Sequence, residues 1–265
     1  MKFTTLTTDF GTHDFYVGAL KGALLRRVPS LQLIDISHDI PPFDIVRGAF
    51  VVANIWREFP EGSIHLIGVN CVYQQGFRFV LARHEGHFFL APDNGLLSLL
   101  FTGFEPTDLR NIPANPFEHF AVKNIFANAV GHLMEGKPFE EIGEHAAPLL
   151  ERISIQPVIT PTRIRGTVIH VDNFENVVVN IRREIFESAA NGRPFSLFFK
   201  RNDPIVQLSG NYCDVAVGEQ LCLFNMAGYL EIAVYMGRAA TLFGLKVEDV
   251  IEIVFEASPP PVVQI

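Results

Sequence analysis

The side chains of this chain that could do chemistry gather in a few short stretches. Thr7-Thr8-Asp9-Phe10-Gly11-Thr12-His13-Asp14 sets two carboxylates around a glycine. Asp9 and Asp14 could accept hydrogen bonds from a ribose diol or an ammonium group, because an ionised carboxylate only accepts. The same residues also suit a structural role, with Asp9 fixing a turn and Asp14 capping a helix. In Ile40-Pro41-Pro42-Phe43-Asp44 the prolines stiffen the backbone and could hold Phe43 as an aromatic wall. Alternatively, Asp44 caps the next helix and Phe43 packs on it as a staple. Ala91-Pro92-Asp93-Asn94-Gly95 reads as a turn and helix start, with Asn-Gly supplying positive φ. Val171-Asp172-Asn173-Phe174-Glu175-Asn176 and Asn225-Met226-Ala227-Gly228-Tyr229 each join strand-like runs. An ordinary connection explains their polar residues as well as a binding loop does.

The elements that must position these stretches follow from hydrophobic periodicity. Phe3–Thr8, Leu31–Ile36 and Ile64–Val69 read as strands. Phe15–Val28, Ile45–Phe59 and Ile125–Met134 carry helical spacing and end at Pro29, Pro60 and Gly136. Phe77–Arg83 and His87–Ala91 read as a hairpin across Glu85-Gly86. Strand and helix in alternation imply an α/β domain of αβα layers with a largely parallel sheet. The pattern changes after Ala146, where prolines 148, 157 and 161 interrupt a stretch without period. Short β-type runs follow at 164–171, 177–181, 195–199, 205–208, 220–224, 229–234 and 250–255, which suggests a small all-β barrel-like domain. The expected organisation is residues 1–145, a linker over 146–162 with the boundary near 155, and residues 163–265. In this arrangement the Asp9, Phe43 and Asp93 stretches follow strands, and ligands of open α/β sheets bind beyond the C-terminal ends of strands.

Composition narrows the function. At roughly 150 residues per domain, 265 residues suit one large domain or two modest ones. With 21 Lys+Arg against 29 Asp+Glu, the formal net charge of −8 argues against a phosphate-backbone binder and a polybasic membrane anchor. No nucleic-acid or membrane partner is expected. No apolar run approaches the ~20 residues of a membrane-spanning helix. Met1-Lys2-Phe3-Thr4-Thr5 does not read as a signal segment. Three cysteines, Cys71, Cys213 and Cys222, are too sparse for a disulfide framework, so a cytoplasmic setting is expected. No Cys/His spacing suggests zinc, and no metal site is expected.

Taken in order, Thr7-Thr8-Asp9-Phe10-Gly11, Ile40-Pro41-Pro42-Phe43-Asp44, Phe59-Pro60-Glu61-Gly62, Ala91-Pro92-Asp93-Asn94-Gly95-Leu96-Leu97 and Gly228-Tyr229-Leu230-Glu231-Ile232-Ala233 resemble the S-adenosyl-L-methionine (SAM) hydroxide adenosyltransferases. That superfamily also contains the fluorinases and chlorinases. The resemblance runs from about Phe3 to about Glu252. It implies an α/β domain followed by a small β-barrel, in a homotrimer whose sites each lie between one subunit's first domain and a neighbour's second. It implies attack of water or hydroxide on C5′ of SAM, giving adenosine and methionine. The sulfonium is a good leaving group, so the resemblance implies no cofactor, SAM being substrate or ligand. By position, it assigns Asp9 to the ribose diol, Asp14 to the methionine amino group, and Phe43 and Phe120 to aromatic walls. It further assigns Phe174 to stacking on adenine, and Asn176 and the backbone near Met236 to the adenine amino edge. Asp172 shares the Phe174 loop, and Asn225 lies near the amino-acid end.

The sequence departs from the hydrolases of that family where they carry an Asp, an Arg and a His around the nucleophilic water. Their Val-Asp-Pro-Gly-Val-Gly block is here Val69-Asn70-Cys71-Val72-Tyr73-Gln74, so Asn70 replaces the carboxylate. Phe77 takes the Arg position, with Arg78 one residue beyond. In a regular strand that shift turns the guanidinium to the other face; a re-formed loop could still bring Arg78 in. Their Phe-His-Gly-Arg-Asp block is Phe120-Ala121-Val122-Lys123-Asn124, so Ala121 replaces the His, and the neighbouring His119 is expected to point elsewhere. Fluorinases carry a serine where Val122 stands and a long insertion where only twelve residues separate Arg78 from Ala91, so halogenase chemistry is not expected. Two readings remain. One is a divergent SAM hydrolase with weak or altered turnover; the other is a noncatalytic nucleoside-binding or trimeric scaffold protein.

Overall fold

The computed structural model describes residues 3–71, 78–103, 105–113, 120–199 and 203–256. It divides into two compact units, Met1–Ser154 and Ile155–Ile265.

The first unit contains β1 (Phe3–Thr8), α1 (Tyr16–Arg27), β2 (Gln32–Ser37), α2 (Ile45–Ala53), β3 (Ile64–Gly68), β4 (Phe79–His84), β5 (His87–Pro92), α3 (Leu96–Leu100), β6 (Asp108–Ile112) and α4 (Val122–Met134). The sheet order is β2-β1-β3-β5-β4-β6. β2, β1, β3 and β5 run parallel, while β4 is antiparallel to both β5 and β6. The sheet is therefore mixed. The reversal comes from the β4–β5 hairpin, whose turn residues Glu85 and Gly86 have φ of 44° and 75°, the left-handed pair that a tight hairpin needs. Polar Asp108–Ile112 showed no strand period, and it forms an edge strand.

Alternating side chains split the core into two layers of packing. Leu6, Ile64, Leu66, Leu81 and Leu90 pack with Leu20 and Leu24 of α1 and Phe126 and Val130 of α4. Ile67, Val69, Val80, Ala82, Phe89 and Ala91 pack with Ala49 and Val52 of α2 and Leu96, Leu97 and Leu100 of α3. Burial of each such large side chain is worth about 1.5–3 kcal/mol. α2 stops at Ala53, short of the expected Phe59; Asn54 is its C-cap and its side-chain Nδ2 donates to the Phe50 carbonyl at 2.8 Å. A separate 3-10 turn over Trp56–Glu58 then buries Trp56. From β1 the chain steps to β2 on one side and returns past β1 to β3 on the other. The β1–β3 crevice is thus the topological switch point where the loops after β1, β2 and β3 meet.

The second unit contains β7 (Val158–Thr160), β8 (Arg163–Val171), β9 (Val177–Arg182), α5 (Arg183–Ala190), β10 (Phe195–Phe198), β11 (Gln220–Phe224), β12 (Tyr229–Val234), α6 (Ala239–Phe243) and β13 (Val250–Phe255). The antiparallel order is β10-β13-β8-β9-β12-β11, with β7 on β8. The long β8 pairs with β13 as far as Thr167 and with β9 from Val168, with a register shift between Val168 and His170. At Gly166 a Cβ would lie 2.7 Å from Ile181 Cδ1 and Val179 Cγ1, so only glycine lets the sheet cross itself this closely. Residues 205–208 form no regular strand; they make single bridges, Leu197 to Ile205 and Leu208 to Cys222, that tie the edge strands β10 and β11. The sheet curls into a half-barrel around Ile164, Val179, Leu197, Cys222, Leu230, Ile232 and Ile253. Against an all-β expectation, α5 and α6 are added, burying Phe186 and Phe243. Among the described residues, no helix is long and apolar enough to cross a membrane.

Candidate functional site

At the switch point, Asp9 follows β1 and its backbone N–H donates to the Gly68 carbonyl. Asp9 Oδ2 accepts the backbone N–H of Phe43 and that of Asn70, each at 2.9 Å. Both donors are left-handed, with φ of 68° at Phe43 and 53° at Asn70. One oxygen thus fixes the loop after β2 and the loop after β3. Asn94 holds the second loop from the other side: its Nδ2 donates to the carbonyls of Val69 and Asn70 at 3.0 and 3.2 Å, while its Oδ1 accepts from Leu96 N at the start of α3. The Asn-Gly turn read from the sequence is present, with Gly95 at φ 98°.

Beneath Asp9, Thr8 Oγ1 and His38 Nδ1 lie 2.7 Å apart, both residues buried. His38 Nε2 lies 3.1 Å from Asp35 Oδ1. The Gly11 N–H donates to the His38 carbonyl, and the Ile40 N–H to that of Thr8. Thr8 and His38 therefore brace the loops that carry Asp9, Asp14 and Phe43. Their place at the strand ends was the only available signal for this role.

The alternatives for the acidic loop residues now separate. α1 begins after Phe15 with no side-chain cap; Asp14 is exposed and has no hydrogen-bond partner among the described residues. Asp44 does cap α2, accepting Arg47 N at 2.9 Å. Phe43 is 61% exposed, so its ring is not a staple. Phe120, itself at φ 55°, packs edge-on against Phe10 and Tyr16 with centroids 5.4 and 5.2 Å away, and Phe15 lies against Tyr16. Phe10 and Tyr16 join an aromatic wall that the sequence marked only by Phe120.

The residues that the resemblance aligns with the catalytic positions of the hydrolases carry little acid–base capacity. Asn70 offers a neutral amide. Cys71 is half-buried, and burial, aided by the Asp9 charge, pushes its thiol well above the usual range. Ala121 is buried at the start of α4, and Val122 beside it is buried as well. Phe77 and His119 lie outside the described residues. Arg78 is drawn elsewhere. Its Nε donates to Asp93 Oδ2 at 2.7 Å, Nη1 to Asn111 Oδ1 at 3.3 Å, and Nη2 to the carbonyls of Ala147 and Pro148 at 3.0 and 2.8 Å. The other Asp93 oxygen accepts Leu150 N at 2.9 Å. Arg78 and Asp93 thus anchor residues 147–150, which have no period of their own to order them.

In the second unit, the β8–β9 connection is a rigid polar loop. Asp172 Oδ1 accepts from Phe174 N and Asn176 N at 2.9 and 2.7 Å, and Oδ2 accepts from Asn176 Nδ2 at 3.1 Å. The loop presents Phe174, 73% exposed, while Asn176 is buried beneath it. Glu175, at φ 64°, accepts from Arg238 and from Thr241 N, fastening the loop to α6. Met236 is exposed with φ of 55°. Asn225 donates from Nδ2 to Glu231 Oε2 at 3.1 Å and accepts from Ala227 N and Tyr229 N. Glu231 is buried and accepts from Tyr212 Oη at 2.6 Å. Burial pushes its carboxyl up, against the lowering by the Tyr212 and Asn225 bonds. Sequence reasoning passed over Glu231 because it sits within an apolar strand.

Comparison with known proteins matches both units. Residues 4–143 match the model of the SAM hydroxide adenosyltransferase N-terminal domain, and residues 166–252 that of the C-terminal domain. An (R)-S-adenosyl-L-methionine hydrolase of Methanocaldococcus jannaschii is 28% identical, covering 96% of this chain and 97% of its own. A protein of the same name from Salinispora tropica is 31% identical over 92% of this chain and 95% of its own. The crystal structure of a conserved protein from Thermotoga maritima superposes with a TM-score of 0.85 at 27% identity, covering 96% of this chain and all of that one.

Proposed function

The chain belongs to the SAM hydroxide adenosyltransferase family, and on that premise we propose that it is a divergent SAM hydrolase-like protein. It binds SAM or adenosine and hydrolyses SAM to adenosine and methionine weakly. The observation that supports this reading is a contrast at the switch point: Asp9 binds the Phe43 and Asn70 backbones there, while the residue beside it, Asn70, is a neutral amide. Among the described residues, Asp9 Oδ1 and the exposed Asp14 have no hydrogen-bond partner, and Phe43 faces solvent. Asn70 and Ala121 stand where the active relatives carry ionisable side chains.

In the proposed reaction a water oxygen attacks C5′ of SAM as the C5′–sulfur bond breaks. The bonding pair leaves with sulfur as the thioether of methionine, and the water proton goes to solvent. The protein's part is to align and desolvate the water opposite sulfur. Asn70 can orient that water but cannot take its proton. A positioned acid–base group is worth about 10²–10⁴ in rate, so turnover is slow while binding, which uses other atoms, persists. In this reading Asp9 meets the ribose diol, Asp14 the methionine amino group, and Phe43 and Phe120 the sugar and base. Phe174 stacks on adenine, Asn176 and the backbone near Met236 address its amino edge, Asp172 holds the Phe174 loop, and Asn225 lies near the amino-acid end. The second-unit groups come from a neighbour in a homotrimer.

The engagement of Arg78 by Asp93, Asn111, Ala147 and Pro148 favours a second reading, a nucleoside binder with no turnover. Calorimetry with adenosine and with SAM, followed by chromatography of a SAM incubation, separates them. Binding with slow release of adenosine supports the hydrolase, and binding without release supports the binder. The absence of heat with either ligand at millimolar concentration refutes both.

A further inference from the structure

The strongest unexplained feature of the molecule is the pair of amides on one oxygen of Asp9. A carboxylate has about four lone-pair sites, two on each oxygen. Both on Oδ2 are occupied, by Phe43 N and Asn70 N at 2.9 Å. The two donors share a second property. Each is a non-glycine residue with positive φ, a conformation kept only where the surroundings impose it. Phe43 is mostly exposed, so packing of its side chain does not impose it. At Asn70 the carbonyl is gripped by Asn94 and the N–H by Asp9, which clamps the peptide units on both sides of the residue.

We infer that Asp9 is the positioning residue of the switch point: its Oδ2 sets Phe43 and Asn70 in place, and its Oδ1, without a partner among the described residues, receives a ligand hydroxyl. The first half stands on geometry alone; the second rests on the nucleoside reading above. The division has a chemical consequence. A ligand group meeting Oδ1 must be a donor. The side chain also separates into two functions that different substitutions remove. Asp9→Ala removes both. Asp9→Asn keeps an oxygen that can serve the two amides, but places an NH₂ donor where the ligand hydroxyl needs an acceptor.

Residue-resolved hydrogen exchange on the full chain reads the positioning function without any ligand. In the unsubstituted protein the Phe43 and Asn70 amides are protected. Asp9→Ala accelerates both by about 10-fold or more, the loss of a charge-assisted hydrogen bond, while Leu6 and Leu66 in β1 and β3 stay as they were. Asp9→Asn retains protection at both positions yet weakens adenosine binding about 10-fold or more. Unchanged exchange at Phe43 and Asn70 in Asp9→Ala overturns the positioning role. If that variant does not fold, Asp9→Asn decides: loss of protection at either amide, or adenosine binding equal to that of the unsubstituted protein, overturns the inference. Absence of adenosine binding by the unsubstituted protein instead refutes the nucleoside reading, and the exchange data still decide the positioning role.

Discussion

Acid should unfold the first unit through one buried imidazole. His65 on β3 is 1% exposed; its Nδ1 lies 2.8 Å from Thr5 Oγ1 and its Nε2 3.2 Å from His87 Nδ1. Its ring stacks on Phe89 at 4.9 Å. Burial, with the neighbouring His87 adding a like charge, holds its pKa down to about 3 against an ordinary 6.5. In the unfolded chain His65 takes a proton below about 6.5, whereas in the folded chain it stays neutral until about 3. The unfolded state therefore binds more protons across that window. The stability contribution is complete above about pH 6.5 and is lost as pH falls towards 3. At about 1.4 kcal/mol per pH step, the loss is about 2 kcal/mol at pH 5 and approaches 5 kcal/mol at pH 3. Burial pushes the His87 pKa down too, despite Glu61 and Glu85, so it adds in the same direction. Trp56 is the chain's one tryptophan and lies edge-on to His87 at 5.0 Å, so its fluorescence reports on this unit. Urea unfolding followed at Trp56 between pH 7.5 and 4.5 gives the curve. The paired substitution Thr5→Val with His65→Leu removes the titrating ring together with its partner and should flatten the curve by about 2 kcal/mol at pH 5. If the variant loses stability with pH as steeply as the unsubstituted protein, the imidazole is not the cause and the argument fails.

Three other outcomes are expected. Arg78→Ala leaves Asp93 without its guanidinium and frees residues 147–150, costing about 3 kcal/mol; urea unfolding should record this, and proteolysis within 147–150 should quicken. Gly166→Ala forces a methyl against Val179 and Ile181 and should destabilise the second unit by about 1–3 kcal/mol, measurable by calorimetry. Light scattering at micromolar concentration should give a trimeric mass, and a monomeric mass would remove the shared-site part of the proposal.

What was legible in the sequence and what was not divides along physical lines. β11, β12 and β13 were read to the residue, because apolar side chains repeat without interruption and turns bound them. The β1–α1–β2–α2–β3 alternation was legible for the same reason. β6 was not, because Asp108-Leu109-Arg110-Asn111-Ile112 is a polar edge strand whose pairing with β4 no local pattern announces. α5 escaped because Arg183–Ala190 is short and mostly exposed, its burial resting on Phe186 and Ala190. At the candidate site, residue types and spacing left Asp9 and Phe43 open between a ligand role and a structural one, and only the family resemblance singled out Phe174. They could not reveal that Asp9 holds two loops, since its partners are backbone amides 34 and 61 residues away. Nor could they choose between roles for Arg78. The carboxylate that engages it is Asp93, which the sequence offered only as a turn residue.

The central claim is that binding groups persist while the groups that would activate water have gone. Its most direct test is the rate of adenosine formation from SAM, followed by chromatography, in Asn70→Asp with Phe77→Arg and Ala121→His, compared with the unsubstituted protein. Restoring the three groups together should raise the rate by about 10² or more, with little effect from any one alone, because groups acting on one water are strongly non-additive. A triple variant that folds, binds adenosine and still forms adenosine no faster than the unsubstituted protein would contradict the account.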